Sequence, residues 1–264
     1  MTHDVIVEIG GTPVRLSTED PALVEILHDR YAGFITDRPA AAPLQLRIHL
    51  VSGLVPGADD VHVTRSNGLW RFERSDFMAE WSPETGRGTV RQTLPNPYSI
   101  DTVLRILHSV VLVPQRGFLL HAASAIRHGR AFVFSGISGA GKTTISRLAP
   151  PDVTLLSDEI SYIRPNEGRY VAFGTPFAGE LAKAGENVSA PLEAVFLLAQ
   201  GPENRRDPVA PAEAARALLR NILFFAEDPG LVELVFRSAL DCVSRVPVWR
   251  LTFVPDPKIW EMIA

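Results

Sequence analysis

The sequence predicts an α/β fold, and three features carry that prediction. Gly136-Ile137-Ser138-Gly139-Ala140-Gly141-Lys142-Thr143 fits the phosphate-loop pattern G-x-x-x-x-G-K-[ST] at every fixed position, with an apolar strand pattern before it and a helix start after it. A second apolar run, Val153 to Leu156, ends in Ser157-Asp158-Glu159 after the length of one short helix. Ahead of both, strand and helix signals alternate in what reads as a small separate α+β unit. The expected domains are therefore residues 1–97 and 98–264.

Taken in order, Val5 to Ile9 and Val14 to Leu16 flank Gly10-Gly11-Thr12-Pro13 as a hairpin. Asp20-Pro21 opens a helical pattern that runs to Phe34 through Leu23, Ile26, Leu27 and Tyr31. Leu44 to Leu50 alternates as a half-buried strand, and Asn67-Gly68 is a tight turn between two short strands. Nothing in this unit concentrates catalytic residue types, so it reads as a packing or recognition module. Pro95-Asn96-Pro97 marks the boundary, after which Ser99 can cap a helix expected to pack on the second domain.

Leu119 to Ile126 is an apolar strand, and His128-Gly129 reads as a two-residue turn into the strand Ala131 to Ser135. That register places His121 opposite Gly136, at the mouth of the glycine loop. A helix from Thr143 to Leu148 is then stopped by Pro150-Pro151. Beyond the carboxylates, Pro165 to Gly168 turns another hairpin, and Gly174 to Glu180 is a loop with one carboxylate. Ala194 to Ala199 is a buried strand, followed by a polar segment, Gly201 to Pro208, whose Arg205 and Arg206 read more as a solvated face than as phosphate ligands. Helices over Pro211–Phe225 and Asp228–Val246, a strand over Val246–Val254 and a short helix over Pro257–Ala264 complete the chain.

Composition narrows the function. The chain has 264 residues, 46% hydrophobic and 21% charged, with a net charge of −4, so no basic footprint for nucleic acid exists. One cysteine, Cys242, excludes a disulfide framework and suits a reducing cytosol. No apolar run is long enough for a membrane span, and MTHDVIVEIGG lacks a signal-peptide pattern, so a cytoplasmic protein without membrane partners is expected.

The glycine loop supplies the chemistry. Backbone N–H groups of Gly136, Ser138, Gly139, Ala140 and Gly141 can close around a phosphate, with Thr144 following the loop. Lys142 can reach the β- and γ-phosphates, and the Thr143 hydroxyl can ligate Mg²⁺. Asp158 provides the acidic oxygen such a site needs near its metal. Glu159 is the next carboxylate along, although neighbouring strand residues ordinarily point to opposite faces.

The succession HAASA, hairpin, VFSGISGAGKTTIS and LLSDE resembles the superfamily of HPr kinase/phosphorylase and ATP-dependent phosphoenolpyruvate carboxykinase. The resemblance spans residues 117–180, most strongly 121–163. It implies a P-loop core of HPr-kinase/carboxykinase type behind the small N-terminal α+β domain. It also implies ATP and Mg²⁺ as cofactors, and places His121 by the metal and the transferred phosphate. Asp158 falls on the first of the family's two aspartates, the base towards the acceptor hydroxyl. Glu159 falls on the second, where the family usually has Asp, and Glu180 lies where an acidic residue helps hold metal. The activity implied is a kinase that phosphorylates a hydroxyl, by analogy a serine of a peptide or small protein. A small-molecule kinase and a non-catalytic ATP-binding regulatory module are the alternatives, and the resemblance leaves room for a homo-oligomer. The carboxykinase likeness stops at the loop and carboxylates.

Overall fold

The computed structural model describes residues 1–37, 43–53 and 59–263 and is a mixed α/β structure with two large sheets. Its contacts divide the chain into two compact units, Met1–Val110 with Phe225–Pro229, and Val111–Phe224 with Gly230–Ala264.

The first unit contains strands β1 (His3–Ile9), β2 (Thr12–Thr18), β3 (Leu44–Leu50), β4 (His62–Ser66), β5 (Leu69–Arg74), β6 (Phe77–Ser82) and β7 (Arg87–Gln92), with helices α1 (Pro21–Arg30) and α2 (Pro97–Val111). The seven strands seen among the described residues lie in the order β1-β2-β3-β7-β6-β5-β4, with β2–β3 and β3–β7 parallel. Asp20 caps α1 by accepting the Leu23 N–H at 2.9 Å. That helix stops at Arg30, short of Phe34, and a single 3₁₀ turn, Ala32–Phe34, follows.

Strands β6 and β7 go beyond the sequence expectations, although Phe77, Ala79 and Trp81 alternate inward in β6. The expected Ser99 cap is also corrected. Asn96 accepts the Tyr98 N–H at 3.0 Å, Pro97 occupies the first turn, and Ser99 lies inside the helix, donating to Asp76 at 2.7 Å. By contacts α2 groups with the strands before it, in the unit that runs to Val110 and takes in Phe225–Pro229. The buried Asp101 carboxylate of α2 accepts from Tyr31 Oη at 2.6 Å and from Arg30 Nε at 3.0 Å, which ties it to the end of α1.

The second unit carries strands β8 (Phe118–Arg127), β9 (Arg130–Ser135), β10 (Thr154–Ser157), β11 (Ile160–Asn166), β12 (Arg169–Phe173), β13 (Ser189–Gln200), β14 (Arg205–Pro208), β15 (Ile222–Leu223) and β16 (Val248–Phe253). Its helices are α3 (Lys142–Arg147), α4 (Pro211–Asn221), α5 (Pro229–Arg245) and α6 (Ile259–Ile263). Strands β8 and β13 each change partners part-way along, and the pairings β8–β11–β12–β13–β9–β8 run round a ring.

Both faces of this sheet are covered, which is why its strands read as unbroken apolar runs. Along β9, Ala131 and Val133 enter one core cluster with Leu120, Leu156 and Cys242. Phe132 and Phe134 enter the other, with Ile145, Phe196 and Trp260. Phe134 stacks on Phe196 at 5.6 Å and meets the Trp260 edge at 5.5 Å.

Three sequence expectations change here. The helix from Pro211 ends at Asn221, because Ile222 and Leu223 pair instead with Leu120 and Leu119 of β8. The polar segment after β13 contains a strand, β14, laid antiparallel on β16. The terminal helix covers Ile259–Ile263, and Ala264 lies outside the described residues. Among the described residues no helix is long and apolar enough to cross a membrane.

Burial of His108 inside α2 has a consequence for stability. Its side chain has no solvent exposure, and desolvation lowers its pKa to about 4 from 6.5. The unfolded chain therefore binds the proton first, so this stabilisation is complete above pH 6.5 and lost as pH falls towards 4. Urea unfolding should show wild type losing about 2 kcal/mol more than His108→Leu between about pH 7.5 and pH 5. Parallel losses in the two proteins would refute this account.

Candidate functional site

The β8–β9 hairpin sets the site. His128 and Gly129 take φ values of 51° and 73°, the two left-handed positions of a primed turn. The register that follows pairs Arg127 with Arg130 and continues to Ala122 with Ser135, as expected from the turn. His121 is the next residue of β8, where the strand leaves β9 and pairs with Ile160 of β11. Period-two alternation puts it on the same strand face as Ala123 and Ala125, which pack in one cluster with Ile145 of α3.

Beyond Ser135 the chain turns through the glycine loop into α3. Lys142 Nζ donates to the Gly136 carbonyl at 3.1 Å across the loop. Gln200, at the end of β13, donates to the Gly139 carbonyl at 2.7 Å. A Cβ on Gly136 would lie 2.7 Å from the Ala140 Cβ, and Ala140 itself is buried. Trp260 Nε1 donates to the Ile145 carbonyl at 3.2 Å, tying α3 to the aromatic cluster.

Asp158 and Glu159 sit in an interruption between β10 and β11, both of which run along one edge of β8. The Ser157 hydroxyl oxygen accepts the N–H groups of Glu159 at 3.1 Å and Ile160 at 2.8 Å, which breaks the strand there. At this break both residues line the same cavity.

That cavity, about 280 Å³, is lined by His121, Ser138, Gly139, Gly141 and Lys142 to Thr144 of the loop region, and by Asp158, Glu159, Gly179 and Glu180. Four chain segments separated in sequence thus meet at one place. Of the expected loop residues, Gly136 and Ala140 lie outside the lining and shape the loop from below. Neither Arg205 nor Arg206 reaches it: Arg205 pairs with Asp207 at 2.8 Å, and Arg206 stacks 4.0 Å from the Trp249 ring centre.

Within the cavity, Thr143 Oγ1 donates to Glu180 Oε2 at 3.0 Å. The Asp158 carboxylate is nearly buried, its two oxygens accepting the N–H groups of Gly179 at 2.9 Å and Leu181 at 2.8 Å. Desolvation lowers the Lys142 pKa, against the attraction of Glu180 and Glu159, which raises it. Among the described residues no three His, Cys, Asp or Glu side chains form a ready-made metal cage. A second cavity of about 560 Å³ adjoins the first, with Asp158 in the wall of both.

Gln200, Phe253, Gly179 and Leu181 carry no sequence signal of a role here, because each reaches the site through a distant contact. Phe253 shows what such contacts impose. Gly141 has φ 109°, and a Cβ there would lie 2.6 Å from the Phe253 ring. Gly141→Ala should therefore cost about 1–3 kcal/mol in denaturant unfolding. Adding Phe253→Leu should recover only the steric part, since the backbone strain stays.

A search of curated proteins gives no match. Among solved structures, the Hpr(Ser) kinase/phosphatase from Coxiella burnetii is similar at 12% identity, over 48% of this chain and 90% of that one. Its TM-score is 0.25, too low to carry an argument about fold or activity. Residues 90–264 match the model of the family described as SynChlorMet cassette protein ScmC, whose description names no kinase. That match covers more than half of the sequence and every residue of the cavity described above, so the chain belongs to the ScmC family.

Proposed function

We propose that this protein is an ATP- and Mg²⁺-dependent phosphotransferase with a P-loop core of the HPr-kinase kind, acting on a hydroxyl. The observation that carries the reading is the meeting of Lys142 and Thr143 with Asp158, Glu159, Glu180 and His121 around one cavity. Phosphoryl transfer needs that set: a cation and backbone amides on the triphosphate, hard oxygens for the metal, and a carboxylate for the acceptor's proton.

The donor set fits Mg²⁺. Mg²⁺ takes hard oxygen ligands, and Thr143 Oγ1 and Glu180 Oε2 are two such oxygens in contact with each other at 3.0 Å. Thr143 and Glu180 would hold the ion, and Glu159 lines the same cavity. Once bound, Mg²⁺ would neutralise phosphate charge.

The chain's own residues do the rest. Lys142 exchanges the Gly136 carbonyl for the β- and γ-phosphates. Asp158 takes the acceptor's proton as the acceptor oxygen bonds to the γ-phosphorus. The bond from that phosphorus to its bridging oxygen breaks, and ADP leaves with the electron pair. His121, at the end of the β8–β9 register, donates to the transferring phosphoryl oxygens.

By resemblance the acceptor is a serine in a peptide or small protein. The adjoining cavity favours a second reading, a small-molecule acceptor. Its 560 Å³ falls in the range of small-ligand pockets, and its wall mixes Val153, Leu155 and Val188 with Thr154 and Lys183. Asp158 stands between it and the phosphate loop.

ATP with Mg²⁺ should raise the melting temperature of the wild type, and Lys142→Ala should remove most of that rise. Labelled ATP incubated with an extract of the source cells should transfer its γ-phosphate to an acceptor with the wild type and not with the variant. Mass spectrometry of the labelled product distinguishes a protein serine from a small molecule. Nucleotide binding with no labelled acceptor would favour the non-catalytic ATP-binding module, and an equal thermal shift in Lys142→Ala would remove the loop from the site.

A further inference from the structure

Asp158 makes two contacts that a proton acceptor does not need. Its Oδ1 accepts the Gly179 N–H at 2.9 Å and its Oδ2 accepts the Leu181 N–H at 2.8 Å. These donors flank Glu180, whose own carboxylate meets the Thr143 hydroxyl at 3.0 Å. One buried carboxylate therefore grips the backbone on both sides of the residue that touches the loop.

The backbone approaches this grip closely at Gly179. A Cβ on Gly179 would lie 2.9 Å from the Glu159 Cβ and 3.0 Å from Asp158 Oδ2, so only glycine lets the backbone come this near. Bonds from charged carboxylates to N–H groups are roughly twice as strong as neutral ones, and the pair leaves the segment little freedom to rotate Glu180 away. One residue further, the Ala182 N–H closes a turn on the Gly179 carbonyl at 3.0 Å, stiffening the same segment.

We infer that Asp158 is a positioning residue for Glu180, clamping the 179–181 backbone so that the Glu180 carboxylate is preset beside Thr143 to receive a divalent cation. This rests on the phosphotransferase reading above and adds to it a duty of Asp158 that is separate from proton transfer. The clamp lowers the cost of binding the ion, because the carboxylate is already ordered before the ion arrives.

The experiment measures ATP binding calorimetrically across a Mg²⁺ titration and in EDTA, with Mn²⁺ electron paramagnetic resonance as a direct view of the ion. Wild type, Gly179→Ala, Asp158→Ala, Glu180→Gln and the Gly179→Ala/Glu180→Gln double variant are compared. Gly179→Ala keeps every carboxylate in the chain but presses on Glu159 Cβ and Asp158 Oδ2, so the double variant decides whether its effect passes through Glu180. The expected result is that Gly179→Ala and Glu180→Gln each raise the Mg²⁺ concentration for half-saturation by about 10-fold, the loss typical when a supporting contact of a metal ligand is removed. ATP affinity in EDTA should stay within about 2-fold of wild type. The double variant should be no worse than Glu180→Gln alone, because both changes act through one carboxylate.

A wild-type Mg²⁺ midpoint in Gly179→Ala, or additive losses in the double variant, would overturn the clamp. If Asp158→Ala does not fold, as the loss of both bonds to the 179–181 backbone could cause, Gly179→Ala with the double variant still decides. Wild type that binds ATP equally with Mg²⁺ and in EDTA would instead sink the underlying phosphotransferase reading, which keeps the two failures apart.

Discussion

The antiparallel pairing of β8 with β9 is the constraint on which the second unit depends. Its two-residue turn at His128-Gly129 fixes which residue faces which, and a slip of one position would reverse every side chain. With this register, Ala123, Ala125, Phe132 and Phe134 share one face and build the aromatic cluster under α3. The same register ends β9 where the glycine loop must begin and ends the β8–β9 contact at Ala122, one residue from His121. The outer edge of β8 then carries β10 and β11, and the carboxylates fall in the break between them.

Local chemistry explains which features are legible in the sequence. A glycine loop between an apolar strand and a helix is a short-range pattern, and so is a His-Gly turn between two apolar runs. Both are visible because each is satisfied within about ten residues of chain. Asp158 and Glu159 are readable as carboxylates closing an apolar run. The break that brings both to one cavity is not, because it depends on the Ser157 hydroxyl drawing two backbone N–H groups out of the strand.

What stays hidden in the sequence is held by distant partners. Gln200 meets Gly139 from the end of a strand that begins well beyond the carboxylates, and Phe253 closes on Gly141 from the last strand. Nothing near either residue in sequence signals the loop. The short strand Ile222–Leu223 reads as the end of a helix for a related reason: apolar residues at a helix end satisfy helical periodicity until a partner, here Leu119–Leu120, competes for the backbone. In the first unit, α2 is tied back to the end of α1 by Asp101, whose partners Arg30 and Tyr31 lie about seventy residues earlier. A proline-rich boundary signal cannot report such a contact.

The parallel pairing of β9 with β13 bears on how the chain acquires its shape. Phe134 aligns with Phe196 and Val133 with Val195, partners that arrive long after the hairpin that contains β9. Parallel pairs of this separation must close a large loop before any contact rewards it, so they form slowly. During synthesis the β8–β9 hairpin and the glycine loop leave the ribosome with one edge of β9 uncovered, until β13 inserts alongside. The strand that feeds the loop is therefore made well ahead of the partner that encloses it. A growing chain exposes that apolar edge for the whole interval, and an unpaired strand edge is where chains aggregate.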